Sequence, residues 1–152
     1  MSLEPVPQYV LNTVRGLYCD GELPPLGERF CFHDPLVRVG SLRQSLRMFE
    51  RLRRLFPGSE LARFEPLEPP AQTEALATTM YRMEVCYRRT AAGPGQSMLS
   101  HLAVTTEAGV VIQLVEDWKA PLHIGAGSVP ALHGARALLG RICGASLRSH
   151  LR

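Results

Sequence analysis

Three stretches in the second half of the chain alternate residue by residue, and that period confines the fold more than any other feature. In "ALATTMYRMEVCYRRT", Ala75 to Thr90, the residues Thr79, Tyr81, Met83, Val85 and Tyr87 share one face, with Met80, Arg82, Glu84, Cys86 and Arg88 on the other. That is the spacing of a strand with one buried side. "SMLSHLAVTT" and "GVVIQLVEDWKA" continue the pattern, set off by the turn "AAGPGQ" and the short connection "EAG". Connections this short join antiparallel neighbours, so these runs predict a meander of three strands.

The first half reads as helical. Val10, Val14 and Leu17 fall on one helical face before "CDGELPPLG" breaks the run with Gly and Pro. "RFCFHDPLVRVG" alternates around Phe30 and Phe32 and stops at Pro35, as a short strand ending in a His-Asp-Pro turn does. Ser41 followed by Gln44 is a capping box, in which the hydroxyl takes an orphan backbone N–H. Leu42, Leu46, Phe49, Leu52 and Phe56 then recur at helical spacing until "FPG". This predicts a helix with its apolar stripe inward and its arginines outward, followed by a proline-rich hinge, "FEPLEPPAQ". Two helices followed by a meander make an α+β domain with helices on one face of the sheet.

Length and composition narrow the function classes. A chain of 152 residues, 45% hydrophobic and 20% charged, suits one globular domain, here residues 1–125, with 126–152 forming a C-terminal helix. No apolar run reaches the ~20 residues of a membrane helix, and "MSLEPVPQYV" lacks the basic start and apolar stretch of a secretory signal. A soluble, cytoplasmic protein is expected. Cys19, Cys31, Cys86 and Cys143 are scattered without a Cys-x-x-Cys pair, so they are expected to be reduced and mostly in the core. A net charge of +3 is mild, and no aromatic-studded basic strand appears, so nucleic acid is not expected as a partner. Neither a phosphate-cradling Gly loop, nor a Ser nucleophile elbow, nor His-x-x-x-His spacing is present, so no cofactor and no metal are expected.

The order of elements, with "FHDPLVRVGSLRQSLRMFERLRRLFP" and "HLAVTTEAGVVIQLVEDWKAP", resembles the nuclear transport factor 2-like superfamily, including its SnoaL-like and ketosteroid isomerase-like members. The shared pattern is a Phe, an Asp-Pro near the end of a short strand, a Gly before a capped helix, and a final hairpin whose last strand ends in an aromatic. Phe32, Asp34-Pro35, Gly40 and Trp118 fill those places, and the match runs over residues 8 to 120. The resemblance implies a cystatin-like cone: a curved antiparallel sheet closed on its concave side by N-terminal helices, leaving an apolar pocket. It also implies a homodimer, since many such folds pair through their sheets.

In isomerase-like members the Asp of Asp-Pro is the base that shuttles a proton, and Asp34 matches it. A carboxylate partly stripped of water by Phe30, Phe32 and Leu36 suits that task, although Asp before Pro is also a common turn residue. The same isomerases hold an enolate with a Tyr on the first helix and an acid on the middle meander strand. Here Val14 stands at the first place, with Tyr18 one turn on, and His101 stands at the second. Steroid isomerisation is therefore not carried over. What remains is Asp34 and His101 as candidate catalytic groups, His101 lying between Leu99 and Ala103 on a face read as lining the pocket. A His and an Asp near one another can exchange a proton near neutral pH; a His among apolar strand neighbours can equally be structural.

Phe32, Tyr18, Tyr81, Met83 and Trp118 are the candidate contacts for a small apolar ligand. Glu84 and Arg82 share a strand face and read as a surface ion pair, Asp117 reads as solvated, and His33 as a rim residue at best. The expected function is binding of a small apolar molecule, with or without turnover by a cofactor-independent isomerase, cyclase or hydrolase. The rival reading is a non-catalytic interaction module. It would use the outer sheet face and the C-terminal helix, whose Arg136, Arg141, Arg148 and Arg152 have no acid among them and could touch an anionic membrane surface.

Overall fold

The computed structural model describes residues 5–35, 37–68 and 75–118. Helix α1, Gln8–Tyr18, is followed by strands β1, Cys31–His33, and β2, Arg38–Val39. Helix α2, Leu42–Leu55, precedes strands β3, Glu60–Pro66, β4, Leu76–Arg88, β5, Gly95–Glu107, and β6, Val110–Trp118. One sheet of six strands runs in the order β2-β1-β6-β5-β4-β3. Both helices pack on the same face of it, and Val10, Val14, Leu17, Phe49 and Leu52 join Phe32, Tyr81, Met83, Leu102 and Leu114 in one core. The α+β architecture with helices on one face of the sheet is the one expected from the periodicities. The C-terminal helix expected over 126–152, and Leu36, lie outside the described residues.

The helices form where the local signals are strongest. The Ser41 hydroxyl accepts from the Gln44 amide at 3.3 Å, so the predicted cap starts α2. Most α2 arginines are exposed, as expected. Arg53 instead donates to the Leu17 carbonyl at 2.8 Å and so satisfies an acceptor in the last turn of α1. Gly16 allows the loop after α1 to fold back, since a Cβ there would meet the Leu23 backbone at 2.9 Å.

The meander is as predicted, β4 to β5 to β6, with antiparallel registers throughout. Its last turn is tighter than "EAG" suggests. Ala108 and Gly109 both take positive φ, 51° and 76°, the two-residue geometry whose twist matches that of its strands.

Three features were not predicted. β1 pairs parallel to β6, Phe32 beside Leu114, so the sheet is mixed rather than wholly antiparallel. β2 adds a short edge beyond the Asp-Pro turn. The first three residues of the expected proline hinge, Phe64, Glu65 and Pro66, belong instead to β3, which pairs antiparallel with β4.

β3 escaped notice because of a bulge. Leu61 and Phe64 stand three apart, a helical spacing, but the register shifts between Leu61 and Arg63. Leu61 therefore lies opposite Val85 and Phe64 opposite Met83, both inward residues. The extra residue keeps both apolar side chains on the core face and bends the strand. β6 repeats the device: between Thr105 and Thr106 the partner jumps from Gln113 to Val111, leaving Ile112 as the extra residue. Val111 and Leu114 are consequently both buried, and Gly27 accommodates the displaced Ile112 side chain. A bulge bends the strand that carries it, so both β3 and β6 depart from a straight course.

Candidate functional site

The inner face of the sheet is read most simply as rows running across strands. One row holds Phe64, Met83, Ser100 and Trp118; the next holds Pro66, Tyr81, Leu102 and Glu116. Tyr81, Met83, Ser100, Leu102 and Glu116 are all buried, and Trp118 is half-buried. Every one but Ser100 and Glu116 is apolar or aromatic. Above the rows, Phe49 of α2 meets Tyr18 of α1 and Phe32 of β1 edge-on, at 5.0 and 4.8 Å between ring centroids, and Tyr81 stacks on Phe64 at 4.5 Å. Each such pair adds about 0.5–1.5 kcal/mol beyond the area it buries.

Among the described residues, one carboxyl is placed in this apolar environment. Glu116 is 2% exposed and Tyr18 is wholly buried. The Tyr18 hydroxyl donates to Glu116 Oε2 at 2.7 Å, across 98 positions of sequence. A buried carboxyl is tolerable only with such partners. Tyr18 is there because α1 carries it one turn beyond Val14 to the end of the helix. Glu116 is there because the bulge at Ile112 reverses the facing of β6, so that Leu114, Glu116 and Trp118 turn inward. Chemically, the pair combines a hydrogen-bond donor with a proton acceptor in a site screened from water.

Of the ligand contacts expected from sequence, Phe32, Tyr18, Tyr81 and Met83 are all in the buried core, and Trp118 lies at the end of the same face. Burial pushes the pKa of the Tyr81 phenol above its usual value, against a hydrogen bond with Thr79 that lowers it and with the charge of Tyr9 adding; it stays a neutral hydroxyl at ordinary pH.

Asp34 directly follows β1, two residues after inward-facing Phe32. Its Oδ1 accepts from the Val37 amide at 2.7 Å, and its own amide donates to the Val37 carbonyl at 2.9 Å. The carboxylate thus closes the turn around Pro35, the structural use of an Asp before Pro.

His101 is a correction. It was expected on the pocket side, but the inward residues of β5 are Met98, Ser100, Leu102 and Val104, and His101 lies on the opposite face, half-buried. There it stands in a row with Glu65, Arg82 and Asp117. The partner of Arg82 is Glu65, at 3.5 Å, rather than Glu84. His101 therefore does not line the inner face.

Glu116 was not singled out in the sequence. A signal for it exists: if Trp118 faces inward, the residue two before it does also. Strict alternation from Val111 hides this, because it puts Glu116 outside.

The sequence matches no protein-family model and no curated protein. Solved structures do match. An NTF2-like protein from Anabaena variabilis superposes with a TM-score of 0.54 at 15% identity, covering 75% of this chain and 86% of that one. Rv3472 of Mycobacterium tuberculosis, a protein of unknown function, gives 0.52 at 14% identity, over 78% and 75% of the two chains. This chain has a nuclear transport factor 2-like fold. TerC, co-crystallised with polyporic acid, gives 0.50 at 14% identity, over 84% of this chain and 94% of that one. In nuclear transport factor 2-like terms, the inner face carrying Glu116 and Ser100, with Tyr18 of α1 against it, is the concave side of the cone. The row of Arg82, His101 and Asp117 is on the convex side. The family to which the sequence was likened is thus right at the level of fold.

Proposed function

We propose that this protein holds a small, mostly apolar molecule against the concave face of its sheet, with the Tyr18–Glu116 pair as a polar contact. The observation carrying this reading is that pair itself: a hydrogen-bonded phenol and carboxyl buried among Phe32, Phe49, Tyr81 and Leu102. Apolar walls with a few convergent polar groups are what small-molecule sites are made of. TerC, of the same fold, was co-crystallised with a small molecule, polyporic acid.

In the enzymatic version the protein is a cofactor-independent isomerase, cyclase or hydrolase whose base is a carboxylate. Glu116 is the candidate at the centre of the face and Asp34 the candidate at the end of β1. Asp34→Asn keeps an acceptor for the Val37 amide and so preserves the turn. Unchanged turnover of an identified substrate in this variant would remove Asp34 as base. Binding is tested first, by titrating the full chain with the apolar fluorophore N-phenyl-1-naphthylamine. Saturable binding at one site, weakened by Phe32→Ala or Met83→Ala, is expected. Fluorescence that rises without saturation would overturn the reading.

A second reading concerns the convex face. No helix among the described residues covers it, and Val115 is 37% exposed there, which favours a homodimer formed through that face in a cytoplasmic protein. Sedimentation of the wild type as a dimer, and of Val115→Arg as a monomer, is expected; a monomeric wild type would discard it.

A further inference from the structure

Ser100 lies at the centre of the concave face, and its hydroxyl is the feature that the fold by itself leaves unexplained. The residue is 1% exposed, and its Oγ has no hydrogen-bond partner among the described residues. A hydroxyl taken out of water with nothing to replace its hydrogen bonds destabilises the folded chain, and native cores contain few such groups. Nothing in the strand requires it: the inward residues on either side along β5 are Met98, Leu102 and Val104, and an apolar residue would continue their stripe. Across the sheet it sits between Met83 and Trp118 and is the shortest side chain of its row. Glu116 is in the adjacent row on the neighbouring strand, about 7–8 Å away between Cα atoms for such a diagonal pair.

Charge restricts what could satisfy this hydroxyl. Among the described residues the buried polar side chains are Thr13, Ser45, Ser59, Ser100 and Glu116, with no cation among them. Arg53 of α2 is spent on the Leu17 carbonyl. An anionic ligand group beside Ser100 would lie near the Glu116 carboxyl with no counter-charge, which is costly in an apolar interior. A neutral oxygen meets no such penalty, and a serine hydroxyl can donate to a carbonyl or accept from a hydroxyl.

We infer that Ser100 is a specificity-determining contact, and that the ligand is a neutral apolar molecule carrying a hydroxyl or carbonyl oxygen placed to hydrogen-bond Ser100 Oγ. This rests on the ligand-binding reading above and names the class of ligand within it.

The test uses naphthalene, 2-naphthol and 2-naphthoate, one ring system with no oxygen, a neutral oxygen and an anionic one. Each displaces N-phenyl-1-naphthylamine from the full chain. Wild type is expected to bind 2-naphthol roughly five- to tenfold more tightly than naphthalene, the worth of about one net hydrogen bond, and 2-naphthoate more weakly than either. Ser100→Ala should abolish the preference for 2-naphthol and leave the naphthalene affinity unchanged. The ligand-free Ser100→Ala protein should melt at the same temperature as wild type or higher, because the alanine removes an unsatisfied group. Equal binding of naphthalene and 2-naphthol by wild type, or a preference that survives in Ser100→Ala, overturns the role of Ser100 and leaves the pocket standing. A lower melting temperature for Ser100→Ala also overturns it, since the hydroxyl would then be a structural bond. Failure of all three compounds and of the fluorophore to bind removes the ligand-binding reading, and this inference with it.

Discussion

Two rows of side chains one residue apart on the same strands have opposite fates. On the concave face, Tyr81, Leu102 and Glu116 are sealed under the helices, and the one carboxyl among them is met by the Tyr18 hydroxyl at 2.7 Å. On the convex face, Glu65, Arg82, His101 and Asp117 form a polar ladder, whose Arg82–Glu65 pair at 3.5 Å is about half-exposed on both sides. The exposed ladder has more ionisable groups, yet each interaction there is weakened by water. The concave row has a single pair in which an error is expensive, because a buried polar group without its partner keeps the full cost of desolvation. Number of charges is thus a poor guide to which face matters; isolation from water is a better one.

The largest effect is expected from the concave aromatic cluster. Phe49 contacts both Tyr18 and Phe32, and Phe49→Ala should lower unfolding free energy by about 3–5 kcal/mol in urea titrations. A loss below ~1 kcal/mol would mean that the helices are not what seals this face.

Burial also governs a thiol at the end of α1. Burial first, and the Glu60 charge last, push Cys19 up from 9.0 to about 11, against the opposing cation of Arg15. Since the folded value is the higher one, the thiol's contribution is intact below pH 9 and is lost as pH rises through about 11. The total is about 2–3 kcal/mol. Stability measured from pH 8 to 11.5 in wild type and Cys19→Ala checks this: the alkaline decline should be shallower in the variant. Equal declines would place its cause elsewhere.

Next in size is the buried pair. Tyr18→Phe should cost about 1–3 kcal/mol, since Glu116 then loses this donor. Tyr18→Phe combined with Glu116→Leu should recover most of that loss, because neither polar group remains. If the double variant is worse than the sum of the singles, the pair is not the self-contained unit described here.

The smallest effect belongs to the convex row. Arg82→Ala should change stability by no more than about 0.5 kcal/mol, and adding salt should reduce even that. A loss above ~1.5 kcal/mol would contradict the comparison and place Arg82 in a more protected setting than its exposure indicates.

Much of this protein was determined locally and could be read without coordinates. The Ser41 cap, the apolar stripe of α2 and the inward face of β4 each depend on residues a few positions apart, so hydrogen bonding and burial act through short-range spacing. The three-strand meander follows from the shortness of its turns. What only the tertiary structure decided is which of two alternating faces turns inward on β5 and β6. A single bulged residue, Ile112, inverts that choice for everything after it, bringing Glu116 inside, while the pairing of β5 with β4 sends His101 out. The parallel pairing of β1 with β6 and the meeting of Tyr18 with Glu116 join parts of the chain that share no local signal. A strand has a period of two, so one residue of register moves a side chain from core to solvent, and register is settled by partners that the strand's own sequence does not contain.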